Sequence, residues 1–469
     1  MAFNHYRYIV FFLGAFLIFV DAYARYIAPL AMIGGMVKKN CSDPLDKGEL
    51  CWSEQLQANF VGAFYYGYVL QMISTYIATK IGFNLSTKIA TAVMAIIQLT
   101  VPVTVTFSGT LASALQGLKG FVGGIIMSAS YENARKWGFG DEGRMVVSLT
   151  GLMIYLGLGT GPFLVGILTE RFGWRVSFYI SGGAILLLFV LQCLLLPDNP
   201  LETKLMSGKE KARFEDKQKN EKSAKDGDQG TKYKVSLLCL LKRPYLYVFC
   251  VYHFAQLTVY YPEFTTVPFY FNKFWDVESE KLSYLTLGLS IVAMISVILW
   301  KSLLPFMDSK FSWLTIRVTF MLIPVTIRSV IVALIPLSGS LGASIPLLVV
   351  NNFLMGTLFA GGLVTLNYDL DPFNGPLVWG VVNGAGQIAG FLIPIVREAM
   401  TRVDEKRGDY EEQYRMRWVW FFVLCGGVGL TGVFSAVVGF LGFRSLWKKH
   451  PTLAAVDDKD VVVENKAAA

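Results

Sequence analysis

Histidine is nearly absent from this chain, with three in 469 residues, and only 16% of the residues are charged. With so few histidines and no His/Cys cluster at ligand spacing, there is little from which to build a metal centre. No GxxxxGK(S/T) loop occurs, so the chain lacks the phosphate cradle needed to hydrolyse ATP as a source of work. No soluble catalytic motif is found either, and no cofactor is expected. A soluble domain carries about 25% charged residues; the shortfall, beside 54% hydrophobic residues, marks a polytopic membrane protein. The net charge of +8 is then no nucleic-acid footprint. What matters is how Lys and Arg divide among the loops. Cysteine is sparse too, at six. Cys193, Cys239, Cys250 and Cys425 fall in or beside apolar runs and read as small core residues. Cys41 and Cys51 differ: they share one polar loop with the sequon Asn40-Cys41-Ser42. The sequon suggests a non-cytosolic, glycosylated loop. Whether the two thiols pair stays open, because proximity in sequence does not fix geometry.

Residues 8–37 are apolar except for Asp21 and Arg25, four apart in the run DAYAR. The run is long enough to span a bilayer, is too long for a signal-peptide core and lacks a small-residue cleavage site after it. It reads as a retained helix. A charge at bilayer depth costs roughly 2.5–3.5 kcal/mol on insertion scales, and the i,i+4 spacing puts both charges on one helix face. Charges persist there when they pair or line a wet pathway. Eleven further apolar runs follow, for twelve spans near 8–37, 56–79, 84–106, 109–132, 145–168, 175–197, 244–271, 282–304, 314–337, 342–366, 376–399 and 417–443. The polar stretch 198–243 divides them six and six and reads as a solvated, largely flexible linker.

Lys and Arg concentrate in alternate loops, which places both termini in the cytoplasm and the Asn40 loop on the opposite side. The organisation expected is an N-terminal bundle over 1–197, a cytoplasmic linker over 198–243, a C-terminal bundle over 244–443 and a tail over 444–469. Six plus six suggests two related halves around a central pathway. A weak echo supports this: ATKIGFN (78–84) and FMDSKFSW (306–313) each follow the second span of their half and place Lys near an aromatic.

Several stretches carry a family likeness. They are Phe64-Tyr65-Tyr66-Gly67-Tyr68 with Ala78-Thr79-Lys80-Ile81-Gly82; Gly157, Gly161-Pro162, Gly166 and Gly173-Trp174 through Phe178-Tyr179; Pro268, Tyr270 and Phe271; and Tyr368-Asp369 and Pro372 with Gly380, Asn383, Gly384 and Gly386. In these the chain resembles the major facilitator superfamily, and within it the anion:cation symporter family of vesicular glutamate transporters, sialin and sodium–phosphate cotransporters. The resemblance spans nearly the whole chain. It implies an all-α transmembrane fold of twelve helices in two pseudo-symmetric six-helix bundles. It also implies secondary-active transport of a small organic anion or phosphate, coupled to H+ or Na+. Arg25 matches the family's first-span arginine, and Asn383 sits in its LDxxP…MGxxNxxG pattern. There are departures. Gly123 stands where the glutamate carriers place a fourth-span acidic residue, and Gln256 stands where they have a seventh-span arginine. Glutamate is therefore not implied.

The residues themselves point the same way. Arg25 offers a guanidinium fork to a carboxylate or phosphate; a structural ion pair with Asp21 is the compatible alternative. Glu263, in VYYPEF of the seventh span, suits proton coupling, and Pro262 before it frees a carbonyl; the alternative is a carboxylate satisfied by a neighbouring span. Lys119 is a third buried charge, a partner for Asp21 or Glu263 or a snorkelling residue. His253 titrates near physiological pH or is a packing residue. Tyr66 and Tyr261, among the tyrosines at 65, 66, 68, 260 and 261, are candidates to orient a ligand through their hydroxyls. The expected substrate contacts are thus Arg25, Tyr66, Tyr261, Gln256 and Asn383, and the expected ion-coupling residues Asp21, Glu263, Lys119 and His253. The expected partners are a small anionic solute, the coupling H+ or Na+ and membrane lipid, with no nucleic acid and no second copy. The membrane is the plasma membrane or that of a vesicle or lysosome. Two rival readings remain: a carrier of a neutral or zwitterionic solute, and a non-transporting receptor or scaffold of transporter ancestry.

Overall fold

The structure is a computed structural model, and it describes residues 5–38, 41–43, 46, 48–140, 142–226, 237–277, 279–370, 374–401 and 410–442. Asn40 and Pro372 lie outside the described residues. The architecture is all-α: among the described residues the sole β feature is an isolated bridge between Val37 and Leu50. Helices are what a lipid-embedded backbone requires, since every N–H and C=O must be satisfied within the segment.

Among the described residues ten helices are individually long and apolar enough to cross a membrane, rather than twelve. They are Tyr6–Ala31, Phe83–Phe107, Gly109–Trp137, Glu142–Phe172, Arg175–Leu195, Lys281–Asp308, Thr315–Leu337, Leu341–Ala360, Gly375–Thr401 and Glu412–Leu441. The second and seventh spans are instead helix pairs, Glu54–Val69 with Gln71–Ile81 and Pro244–Thr265 with Val267–Trp275. Both are interrupted and rich in Tyr, with Gln71 in the second and His253 and Gln256 in the seventh. Non-helical backbone is tolerated at membrane depth only where protein or a polar path surrounds it, so their lower hydropathy marks them as pathway helices. The tenth span is shorter than the sequence suggests. It ends at Ala360, and Leu363–Leu370 is a separate helix leading into the eleventh span.

Prolines set two of the breaks. The first span is interrupted at Tyr26, where Pro29 has no N–H to give the Arg25 carbonyl. The seventh breaks at Thr266, just before Pro268, and not at Pro262, whose carbonyl accepts from the Thr266 N–H at 2.8 Å. Glycines bring the second and fourth spans into backbone contact. A Cβ on Gly67 would lie 1.8 Å from the Gly117 carbonyl oxygen, and one on Gly120 would lie 1.9 Å from that of Phe64. The eleventh span packs on the second in the same manner, with Gly384 against the Val69 carbonyl and Gly390 against the Tyr65 ring. The fifth packs on the eighth through Gly159 and Ser290. The first and last six spans also meet where the eleventh packs on the fourth and where Ser148 and Tyr155 of the fifth donate to the Phe359 and Met355 carbonyls of the tenth.

Cys41 and Cys51 are joined, with Cα atoms 5.6 Å apart. Their loop is held by the Lys38 N–H to Leu50 carbonyl bond at 2.9 Å and by Glu49, which accepts from Arg175 Nη1 at 2.6 Å and Trp174 Nε1 at 3.3 Å. The Arg175 guanidinium holds the Glu49 carboxyl below the usual carboxylate range. At the opposite end, the stretch expected to be a flexible linker contains the docked helix Gly208–Asp226. Glu210 accepts from the Tyr6 N–H and from Arg7 Nη1, each at 2.7 Å, while Arg7 also bonds Glu142. Phe214 packs on Trp137 and Phe139, and the Lys217 ammonium donates to the Arg135 and Gly138 carbonyls at 2.7 Å. Residues 210, 214 and 217 share one helix face; three anchors among many charges do not register in composition.

Candidate transport site

The first-span break positions the first centre. Arg25 is the last residue before it and lies one turn from Asp21. Arg25 Nη2 and Nε donate to Asp21 Oδ2 at 2.5 and 3.1 Å, with the carboxylate side chain 1% and the guanidinium 15% exposed. The guanidinium stacks on Tyr68 at 4.5 Å and on Phe64 at 4.9 Å, a cation–π cradle set by the close approach of the second and fourth spans. Asp21 Oδ1 is buried with no hydrogen-bond partner. It faces Gly123, where an added Cβ would stand 3.5 Å away. The glycine position thus opens onto the carboxylate that the first span supplies. Lys119 belongs to this centre and not to Glu263: its ammonium donates to the Ala24 carbonyl at 3.3 Å and to Gln98 Oε1 at 3.2 Å.

A second group of side chains links the halves. Asn383 Nδ2 donates to Gln71 Oε1 at 2.6 Å and to the Tyr68 hydroxyl at 3.3 Å. Asn383 Oδ1 contacts His253 Nε2 at 3.1 Å and accepts from Gln387 Nε2 at 3.0 Å. Gln387 Oε1 in turn accepts from the Tyr261 hydroxyl. The ring of Tyr261 also meets Tyr65 edge-on at 5.4 Å. Arg25 is thereby connected, through Tyr68 and Asn383, to the seventh and eleventh spans. Gln256 is buried one turn from His253, with its Oε1 lacking a partner. Tyr66 is not part of this group: it is exposed and packs on Phe391.

Glu263 forms a third, separate centre. Its two carboxylate oxygens accept from Asn351 Nδ2 and Asn352 Nδ2, and Asn351 Oδ1 accepts from Arg328 Nε at 3.1 Å. Arg328 is 1% exposed. The sequence reading passed over it, although it is the one charge in the apolar run 318–337, the same signal that marks Asp21 and Arg25. Gln71, Gln98, Gln387, Asn351 and Asn352 also escaped notice, because a neutral amide in an apolar run leaves little trace.

A guanidinium with a replaceable carboxylate, in an aromatic cradle at the seam of two bundles, is equipped to bind an anion. The Major Facilitator Superfamily model matches residues 10–394. Vesicular glutamate transporter 2 of Bos taurus is 22% identical over 405 residues, covering 86% of this chain and 68% of the relative. Vesicular glutamate transporter 1 of Xenopus tropicalis is 21% identical over 400 residues, covering 84% and 67%. The solved proton:xylose symporter XylE superposes with a TM-score of 0.67 at 13% identity, covering 97% of this chain and 98% of that one. The chain belongs to the Major Facilitator Superfamily. It is an integral, multi-pass membrane protein and a secondary transporter of a small molecule, not an enzyme.

Proposed function

We propose that this protein moves a small organic anion or phosphate by alternating access, with Arg25 receiving the anion and Asp21 exchanging a proton. The observation that carries this is the Asp21–Arg25 pair, in which one oxygen of Asp21 holds the guanidinium and the other has no partner. An incoming anion competes with Asp21 for Arg25, and a proton on Asp21 releases the guanidinium to it. Binding of the two is then linked. The names of the relatives support the class: glutamate for one group, proton symport for XylE. Asn383 and Tyr261 are read as the contacts that report occupancy to the C-terminal half, with His253 and Gln256 bordering them. Residues 1–197 and 244–443 are read as the two rocking bodies, the docked helix Gly208–Asp226 riding on the first. Both termini are assigned to the cytoplasm, Asn40 to a glycosylated opposite face, and the unit to a monomer in the plasma membrane or a vesicle or lysosome membrane.

The test is uptake into proteoliposomes of labelled phosphate, glutamate and short-chain carboxylates under an imposed pH gradient. Arg25→Ala should reduce uptake about 100-fold, the scale of removing one partner of a buried charge pair. Unchanged uptake would refute the substrate role. A zwitterionic solute is the second reading, favoured by the neutral Gln256 beside a site that already presents both charges. With one proton per solute a monoanion moves no net charge whereas a zwitterion carries one positive charge, so uptake driven by an inside-negative membrane potential would select it.

A further inference from the structure

The two halves carry the same buried device in mirrored form. Gln98 stands fifteen residues into the helix that begins at Phe83, and Arg328 fifteen into the helix that begins at Trp313. Lys119 stands ten residues into the helix that begins at Gly109, and Asn351 ten into the helix that begins at Leu341. The fourth and tenth spans start on matching caps, Ser108 accepting from the Leu111 N–H and Ser340 from the Ala343 N–H. In each half the two positions bond, Lys119 Nζ to Gln98 Oε1 at 3.2 Å and Arg328 Nε to Asn351 Oδ1 at 3.1 Å. The broken first helix of each half carries a carboxylate near its pair: Asn351 bonds Glu263 directly, and Lys119, bonded to the Ala24 carbonyl of the first span, acts on Asp21 through charge. The cation and the amide have changed places: the cation is on the fourth span in the first half and on the ninth span in the second.

We propose that Lys119–Gln98 and Arg328–Asn351 are equivalent positioning pairs, each supplying the buried counter-charge of its half's carboxylate, and that which of the two helices bears the cation is interchangeable. The groups that act on Asp21 are Arg25, Lys119 and Tyr68, and those that act on Glu263 are the Asn352 and Asn351 amides, Arg328 and Tyr155. The first centre has Arg25 beside its carboxylate in addition to the pair, and Arg25 is the group that the proposed function gives to the anion. The inference rests on that reading of Asp21 as the exchanging carboxylate.

The test reads the carboxylates without transport. Dicyclohexylcarbodiimide attacks protonated carboxyls in apolar surroundings, and peptide mass mapping of the full-length protein separates Asp21 from Glu263. Near neutral pH, Lys119→Asn should raise labelling of Asp21 about tenfold, the equivalent of 1.4 kcal/mol of lost charge pairing, while leaving Glu263 unchanged. The transposed double variant Gln98→Arg with Lys119→Asn should return labelling to the wild-type level, and Arg328→Asn with Asn351→Arg should do the same for Glu263. If Lys119→Asn does not fold, recovery of a monodisperse, cooperatively melting protein in the transposed variant is the same result read through stability. The proposal is overturned if Lys119→Asn labels as wild type, or if transposition rescues neither labelling nor folding. An anion reading that fails at Arg25→Ala leaves these outcomes unaffected, so the two failures are separable.

Discussion

Asp21 and Glu263 are both buried carboxylates on broken helices, yet their surroundings are opposite. Glu263 is fully engaged: each oxygen accepts from an asparagine amide, and Arg328 stands behind one of those amides. Asp21 holds Arg25 with one oxygen and leaves the other without a partner, facing the open position at Gly123. A carboxylate with both oxygens hydrogen-bonded is suited to fixing helices in place, whereas one with an unsatisfied oxygen beside a displaceable cation is suited to exchange. The sequence reading assigned ion coupling to both; the geometry favours Asp21 for exchange and Glu263 for cohesion of the second bundle.

The largest effect should come from separating these roles. Glu263→Ala leaves the Asn351 and Asn352 amides without their acceptor and should cost about 1–3 kcal/mol for each buried donor left unsatisfied, seen as a lower melting temperature of the purified protein. Asp21→Asn keeps a polar side chain of the same shape beside Arg25, which also retains the Tyr68 and Phe64 rings, so it should be less destabilising than Glu263→Ala, but should lose the response of uptake to an imposed pH gradient. If Asp21→Asn is the more destabilising and Glu263→Gln the one that uncouples, the comparison is reversed.

A smaller effect is expected at the glycines of the fourth span. Gly120→Ala forces a Cβ to 1.9 Å from the Phe64 carbonyl, which only backbone movement relieves, so expression and melting temperature should fall. Gly123→Ala meets Asp21 Oδ1 at 3.5 Å, an ordinary contact, and should fold normally. Gly123→Asp sets a second carboxylate against Asp21 and should suppress anion uptake in protein that still folds. Normal uptake by that variant would argue against Asp21 Oδ1 facing the substrate space.

Much of this arrangement was legible in the chain. The apolar runs gave the spans, and the Asp21/Arg25 spacing gave the ion pair. The paired turns at ATKIGFN and FMDSKFSW contain Phe83 and Trp313, the helix starts from which Gln98 and Arg328 stand at equal distance. The amides were not legible, because Asn351, Asn352, Gln71 and Gln387 gain meaning only from the helix each one faces. Tyr66 was picked over its neighbour Tyr65 because sequence does not say which side of a helix points inward, and the close packing of Gly67 on Gly117 turned Tyr65 and Tyr68, not Tyr66, toward the seam. The docked helix was hidden for a related reason: Glu210 and Lys217 look solvated until Arg7 and the fourth-span carbonyls are placed beside them.

The smallest predicted effect lies outside the membrane and serves as a control for the buried carboxylates. Glu49 is partly exposed and its carboxyl is held below the usual range, chiefly by its hydrogen bond to Arg175. A carboxylate depressed in the folded state contributes stability that is fully present above its unfolded value of about 4.3 and is lost as pH falls through the folded value. Glu49→Gln should therefore melt slightly below wild type at neutral pH, and the gap should close as the pH is lowered into the acid range. Because the pair is solvent-screened, the gap should also shrink at high salt. The gap between Glu263→Ala and wild type should be insensitive to salt, since Arg328 and Glu263 lie beyond the reach of the bulk ions. Equal salt sensitivity of the two would mean that the Glu263 centre is open to solvent, and the distinction between a locked and an exchanging carboxylate would then fail.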